Sequence, residues 1–180
     1  LGLWQFPDGD PGREEGGKPL ALKKRGASAF ARDAKLGGCL ESFFDGANPN
    51  GALVEKSEKL TPAGAFTLEL WVKAKGELAG KRAVFLLDKM YVDYAHPKAG
   101  TEQMRDYQLK LTDAGKGMFR IEAGLGFGDA VVRYASSPVS LKPDAWRHVA
   151  FSYDGAGEGV VYLDGEECGR MKAAGRKAIL

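Results

Sequence analysis

The chain has 180 residues, 26 Lys and Arg against 24 Asp and Glu, and a formal net charge of +2. That balance argues against a dedicated nucleic-acid or membrane-surface protein, no apolar run reaches the roughly 18 residues of a bilayer span, and 44% apolar residues are too many for a disordered chain. The length suits one domain over 1–180, and 25 glycines scattered between short apolar runs mark many turns between many strands.

In chain order, strands are predicted at 1–6, 20–24, 28–31, 39–44 and 52–55, with the polar, glycine-rich segment 7–17 as a loop. The clearest strand is Phe66-Thr67-Leu68-Glu69-Leu70-Trp71-Val72-Lys73. Its period-two pattern puts Phe66, Leu68, Leu70 and Val72 on one face and Thr67, Glu69, Trp71 and Lys73 on the other. The run 84–87 reads as a strand buried on both faces, and a helical turn or two is expected near 100–105. Alternation returns at 107–112, 119–123, 131–135, 147–153 and 160–163. The Asp-Gly pairs at 8, 45, 154 and 164 and Asn50-Gly51 are hairpin-turn signals. About a dozen short strands so punctuated make an all-β sandwich or barrel.

Three stretches carry a family resemblance. Ser137 to Gly169 reads SPVSLKPDAWRHVAFSYDGAGEGVVYLDGEECG, residues 66–73 read FTLELWVK, and residues 36–46 read LGGCLESFFDG. In order and spacing these are similar to the laminin-G-like, concanavalin A-like lectin/glucanase modules of secreted bacterial proteins. The resemblance implies a two-sheet antiparallel jelly-roll sandwich, a secreted location, and ligands taken on the concave sheet or at a rim. It also implies a further strand pair and closing strand after the Tyr-Leu-Asp-Gly-Glu hairpin. On that pattern the chain is expected to be incomplete at its C-terminus, or to accept a strand donated by another chain. Leu1 in place of Met, with no basic and apolar leader, leads to the expectation of a processed or shortened chain.

Retaining glucanases need two carboxylates about 5.5 Å apart, hence alternate residues on one strand. No Glu-x-Asp-x-Glu or close variant occurs, and Glu69 is flanked at alternate positions by Thr67 and Trp71, so no enzyme is expected. The only histidines are His96, read as a loop residue, and His148, read as packing or hydrogen-bonding within its strand. Gly124-Leu125-Gly126-Phe127-Gly128 lacks the register of a nucleotide loop and reads as a turn. Lys23-Lys24-Arg25 reads as a solvated strand end, with no nucleic-acid partner. Cys39 and Cys168 permit a disulfide or two small buried side chains.

Calcium takes hard oxygen donors on loops, which singles out Asp45 with Asn48 and Asn50 close by, and Asp8 with Asp10. The plainer reading of Asp45-Gly46 is a hairpin turn. For a ligand-binding face, parity places Gln108 and Lys110 on one side of a strand, Arg120 and Glu122 on one side of the next, and Arg133 on the one after. A meander of these strands would gather them into one patch of donors and acceptors suited to sugars. Trp71, Tyr91, Tyr94 or Tyr134 could supply an aromatic platform, although Trp71 and Trp146, at family-pattern positions, and Trp4 are expected in the core. The function expected is non-catalytic extracellular binding of a glycan. The alternative is a structural or adhesive subunit that takes a protein partner.

Overall fold

The computed structural model describes residues 22–42, 50–55, 57, 60–76, 78, 83–92, 104–177 and 179. Two compact units divide the chain, residues 1–60 and 61–180. In the first, β1 (Leu22–Arg25) pairs antiparallel with β4 (Gly51–Val54), and β2 (Ala29–Asp33) forms a hairpin with β3 (Gly37–Glu41). The hairpin turn has a local cause: Asp33 Oδ1 accepts the N–H groups of Lys35 at 2.8 Å and Leu36 at 3.2 Å, as Asp does in tight turns. Asn50 Oδ1 accepts the Ala27 N–H at 2.7 Å, tying the start of β4 to the turn after β1.

The second unit is built from two antiparallel sheets. One has the order β11 (Val131–Ala135), β10 (Met118–Gly126), β9 (Tyr107–Gly115), β6 (Ala83–Asp88), with β12 (Val139–Ser140) as its fifth strand on the start of β10. The other has the order β15 (Glu166–Lys172), β14 (Glu158–Leu163), β13 (Trp146–Tyr153), β5 (Phe66–Lys73). The period-two strands supply the core. Leu109 and Leu111 of β9, Phe119, Ile121, Ala123 and Leu125 of β10, and Tyr134 of β11 face Val149, Phe151 and Tyr153 of β13 and Val161 of β14. Phe66, Leu68, Leu70 and Val72 of β5 pack against this cluster. Each large apolar side chain so buried contributes about 1.5–3 kcal/mol.

Turn chemistry agrees with the sequence at both described Asp-Gly hairpins of this unit. Asp154 Oδ1 accepts the N–H groups of Ala156 at 2.7 Å and Glu158 at 2.8 Å. Asp164 and Gly165 both take positive φ, 54° and 86°, as a two-residue hairpin loop requires. Past Asp154-Gly155, the chain passes so close to residue 173 that a Cβ on Gly157 would lie 2.3 Å from the Ala173 carbonyl oxygen. Residues 173–177 and 179 then pack at one end of the sandwich: the Tyr153 hydroxyl donates to the Lys177 carbonyl, Arg176 pairs with Asp129 at 2.6 Å, and Ile179 is buried in the core.

Two local expectations fail. Met104–Arg105, read as part of a helical turn, is an extended strand, β8, paired with β7 (Tyr91–Val92). The short apolar run 84–87 is not buried on both sides. Strand β6 ends its sheet, and a register shift between Phe85 and Leu87 leaves Phe85 outside while Leu86 and Leu87 pack on the core. Cys168 carries a free thiol, so the two cysteines do not bridge; burial pushes that thiol up in pKa.

Candidate functional site

Strands β9, β10 and β11 form a consecutive meander, and residues opposite one another in an antiparallel pair share a face. Lys110 stands opposite Glu122, and Gly124 stands between Gln108 on one side and Arg133 on the other. Arg120 stands opposite Thr112. The core takes the odd-numbered positions of β9 and β10, so Gln108, Lys110, Arg120, Glu122 and Arg133 all lie on the outer face of this sheet.

At the centre is a charge cluster. Lys110 Nζ lies 3.0 Å from Glu122 Oε1 and Arg133 Nε lies 3.4 Å from it. Lys110 and Glu122 are only 14% and 16% exposed, whereas Arg133 is 59% exposed. Glu122 Oε1 is shielded from solvent, yet no donor among the described residues meets it with hydrogen-bond geometry. Two cations near it satisfy its charge but leave a lone pair without a directed partner, a costly state for a buried oxygen. Gln108 lies flat over Gly124, where a Cβ would come 2.8 Å from its Nε2. Gly126, farther along β10, likewise admits the backbone of Met104 and Arg105 at 2.6 Å.

The aromatic ring on this face is Phe85, which none of the aromatic candidates from sequence anticipated. It stands opposite Lys110 in β6, is 54% exposed, and has the Lys110 ammonium 5.8 Å from its ring centre. A strand ending its sheet with an aromatic flanked by two apolar residues was the available signal, but it could not be separated from a fully buried run. The other candidates lie elsewhere. Tyr134 is in the core, its hydroxyl donating to the Gly157 carbonyl at 3.1 Å, and burial followed by the charges of Tyr153 and Asp154 pushes its pKa up to about 12. Trp71 is on the other sheet, Tyr91 is described only as backbone, and Tyr94 lies outside the described residues.

The edge of this face near β8 is anchored by a polar cluster. Lys89 pairs with Asp106 and donates to Thr61 Oγ1 at 2.7 Å, and Thr61 donates to Asp106 Oδ1 at 2.9 Å. Asp106 holds a positive φ of 63° where β8 turns into β9. Burial first, then the Asp106 charge, pushes the neighbouring Tyr107 up to about 12.

The second sheet presents a different outer face. Trp71, expected in the core, is 53% exposed there, its ring tilted against His148 with centroids 5.2 Å apart. Strand β5 gives its core face to Phe66, Leu68, Leu70 and Val72, so alternation sends Trp71 outward. His148 Nε2 lies 3.5 Å from Glu69 Oε2, so this histidine packs and pairs as expected. Trp146 is not in the core cluster either; it stands opposite Lys73, whose ammonium sits 5.2 Å from its ring centre.

Nearby carboxylates are held in ion pairs. Arg170 binds Glu158 and Glu167 together, and its hydrogen bond to Glu167 keeps that carboxyl below its ordinary range. A glycosidase acid needs the opposite shift. Of the calcium candidates, Asp45, Asn48, Asp8 and Asp10 lie outside the described residues, as do Trp4 and His96. Asn50 spends its side-chain oxygen on the Ala27 N–H. Among the described residues no group of three or more His, Cys, Asp or Glu is arranged to hold a metal ion, and no helix is long and apolar enough to cross a membrane.

Residues 45–179 match the concanavalin A-like lectin/glucanases superfamily, and the chain belongs to it. Among solved structures it is similar to the binding domain of Paraclostridial Mosquitocidal Protein 1, with a TM-score of 0.62 and 13% sequence identity over 97% of this chain and 41% of that one. The chain thus spans about two-fifths of that structure's length, and at this identity the likeness is one of fold. No curated protein sequence matches the chain. Fold and family together define a two-sheet antiparallel sandwich of the concanavalin A-like type.

Proposed function

We propose that the chain is a secreted, non-catalytic carbohydrate-binding module whose ligand lies on the outer face of the β6–β9–β10–β11 sheet. The observation that carries this reading is Glu122: a shielded carboxylate oxygen with charge partners but no directed donor, on the same face as the exposed Phe85 ring two strands away, with Lys110 between them. A sugar hydroxyl supplies the missing donor, and a sugar C–H face stacks on the phenyl ring. Gln108, Lys110, Arg120 and Arg133 surround that position with further hydrogen-bond donors. The family's description includes lectins as well as glucanases, and the structural neighbour is a binding domain; both are compatible with this reading.

The test is a glycan-array screen of the purified chain with calcium and again with a chelator, followed by calorimetry on the best glycan. Phe85→Ala and Arg133→Ala are expected to weaken binding at least ten-fold with the melting temperature nearly unchanged. Chelator sensitivity would show that calcium takes part in binding. A folded chain that leaves every array blank would overturn the reading in favour of a structural or adhesive subunit with a protein partner.

A further inference from the structure

Four strands end the two sheets of the second unit, β11 and β6 in one, β15 and β5 in the other. A strand that ends a sheet leaves a row of backbone donors and acceptors unpaired, and proteins blunt such edges in recognisable ways. At β11 and β15 the two sheets close on each other: the Ser137 N–H donates to the Cys168 carbonyl at 2.8 Å, and a Cβ on Gly169 would lie 2.5 Å from the Ala135 carbonyl oxygen. Strand β6 carries the register shift between Phe85 and Leu87, which breaks the regular spacing that a new partner strand needs. Strand β5 has neither defence. It runs for eight residues in unbroken register on β13, holds no proline, and turns no charge toward the core. Among the described residues no strand pairs with its other side.

The core is also open along β5. Phe66, Leu68 and Leu70 stand opposite Tyr153, Phe151 and Val149 of β13. The three β13 side chains are fully buried, whereas Phe66, Leu68, Leu70 and Val72 are only half-buried. A further strand beside β5 would therefore gain apolar burial on one face as well as backbone hydrogen bonds.

The outward residues of β5 specify which strand fits. A second copy of β5, antiparallel, pairs about a two-fold axis that passes through one residue and its own copy. Centred on Glu69, the pairing sets two carboxylates opposite each other. Centred on Leu70, it sets Glu69 opposite Trp71 and Lys73 opposite Thr67. Centred on Trp71, it sets Glu69 of each copy opposite Lys73 of the other, with the two exposed indoles between these ion pairs. Inward, the same register sets Leu70 opposite Val72. Opposite charges and paired aromatics across two strands both stabilise a sheet, and like charges do the reverse.

We infer that the β5 edge is a self-association surface, on which a second copy of this chain pairs in the register centred on Trp71 and joins two four-stranded sheets into one of eight. The pairing uses no residue of the Glu122 face, so it and the carbohydrate reading can fail separately.

Sedimentation velocity on the full chain over rising concentration tests it. A monomer–dimer equilibrium is expected, with a dissociation constant of about 1–100 µM for so small an interface. Shielding of tryptophan from acrylamide should rise with the dimer. Glu69→Lys and Lys73→Glu each set like charges opposite each other, and each is expected to weaken association at least ten-fold while the dilute chain melts as before. Mixing these two variants should restore the dimer, as should the double variant Glu69→Lys/Lys73→Glu. Trp71→Ala should weaken it several-fold, and Phe85→Ala and Arg133→Ala should leave it unchanged. A chain that stays monomeric throughout would overturn the inference. So would open-ended assembly, or a dimer that the single charge changes leave intact, or one that mixing the two variants does not restore.

Discussion

The two outer faces of the sandwich rest on the same kind of core but differ in how they treat charge and exposure. On the β6–β9–β10–β11 face, Glu122 and Lys110 are drawn into a shielded cluster, with the exposed Arg133 at its margin and Phe85 beside Lys110. On the β15–β14–β13–β5 face, the carboxylate of Glu69 stays in water and the exposed Trp71 ring leans on His148. Core-facing positions must all be apolar and fit one another, so the two sheets resemble each other inside. Outward positions answer only to their cross-strand neighbours, so the faces can diverge without cost to the fold.

Several measurements would break or sharpen that comparison, and the largest effect should remove both faces together. Tyr134 lies between the sheets, and its pKa is raised to about 12 by burial, against about 10 for an exposed tyrosine. A raised pKa in the folded state means stability that is complete below about pH 10 and lost as pH climbs toward 12. Thermal melting followed from pH 8 to 12 should therefore be flat and then fall. Tyr134→Phe should move that fall to higher pH.

Next in size is Glu122→Ala. It leaves the mostly shielded Lys110 ammonium without its counter-charge, and urea unfolding should show a loss of about 2–3 kcal/mol. Glu122→Gln should lose less. A comparable loss from Glu69→Ala would abolish the distinction between the faces, since an exposed carboxylate of that kind is worth about 0–1 kcal/mol.

Gly126→Ala tests the first face without touching a charge. The added Cβ meets the Met104 and Arg105 backbone at 2.6 Å, so β8 must shift, at an expected cost of about 1–3 kcal/mol. Emission from Trp71 should not change. Smallest of all, Trp71→Ala should destabilise by about 0.5–1 kcal/mol, the scale of a cross-strand aromatic pair. A loss of several kcal/mol from the dilute, monomeric chain would mean that the indole is structural and not a contact surface.

Much of the fold was legible in the sequence because strand alternation is local. FTLELWVK declares which four side chains go inward wherever β5 ends up, and Asp164-Gly165 declares its turn through backbone conformation alone. The same parity put Gln108, Lys110, Arg120, Glu122 and Arg133 on common faces of their own strands. Reading Trp71 as core went against this parity, because its place in a family pattern was given more weight than its position in the strand. Phe85 was missed because a short apolar run looks the same whether its strand is buried on both faces or ends a sheet with one side open.

The sequence by itself determined that the chain is all-β, which residues of each strand share a side, and where the hairpins of the second unit turn, because these depend on interactions within a few residues. Only the tertiary structure decided which strands are neighbours: that β6 lies beside β9 and sets Phe85 next to Lys110, that Arg133 reaches Glu122 across β10, and that Trp71 leans on His148 from another strand. Those pairings join residues from about ten to about eighty positions apart. They follow from packing the whole apolar set into one core, which no local pattern encodes.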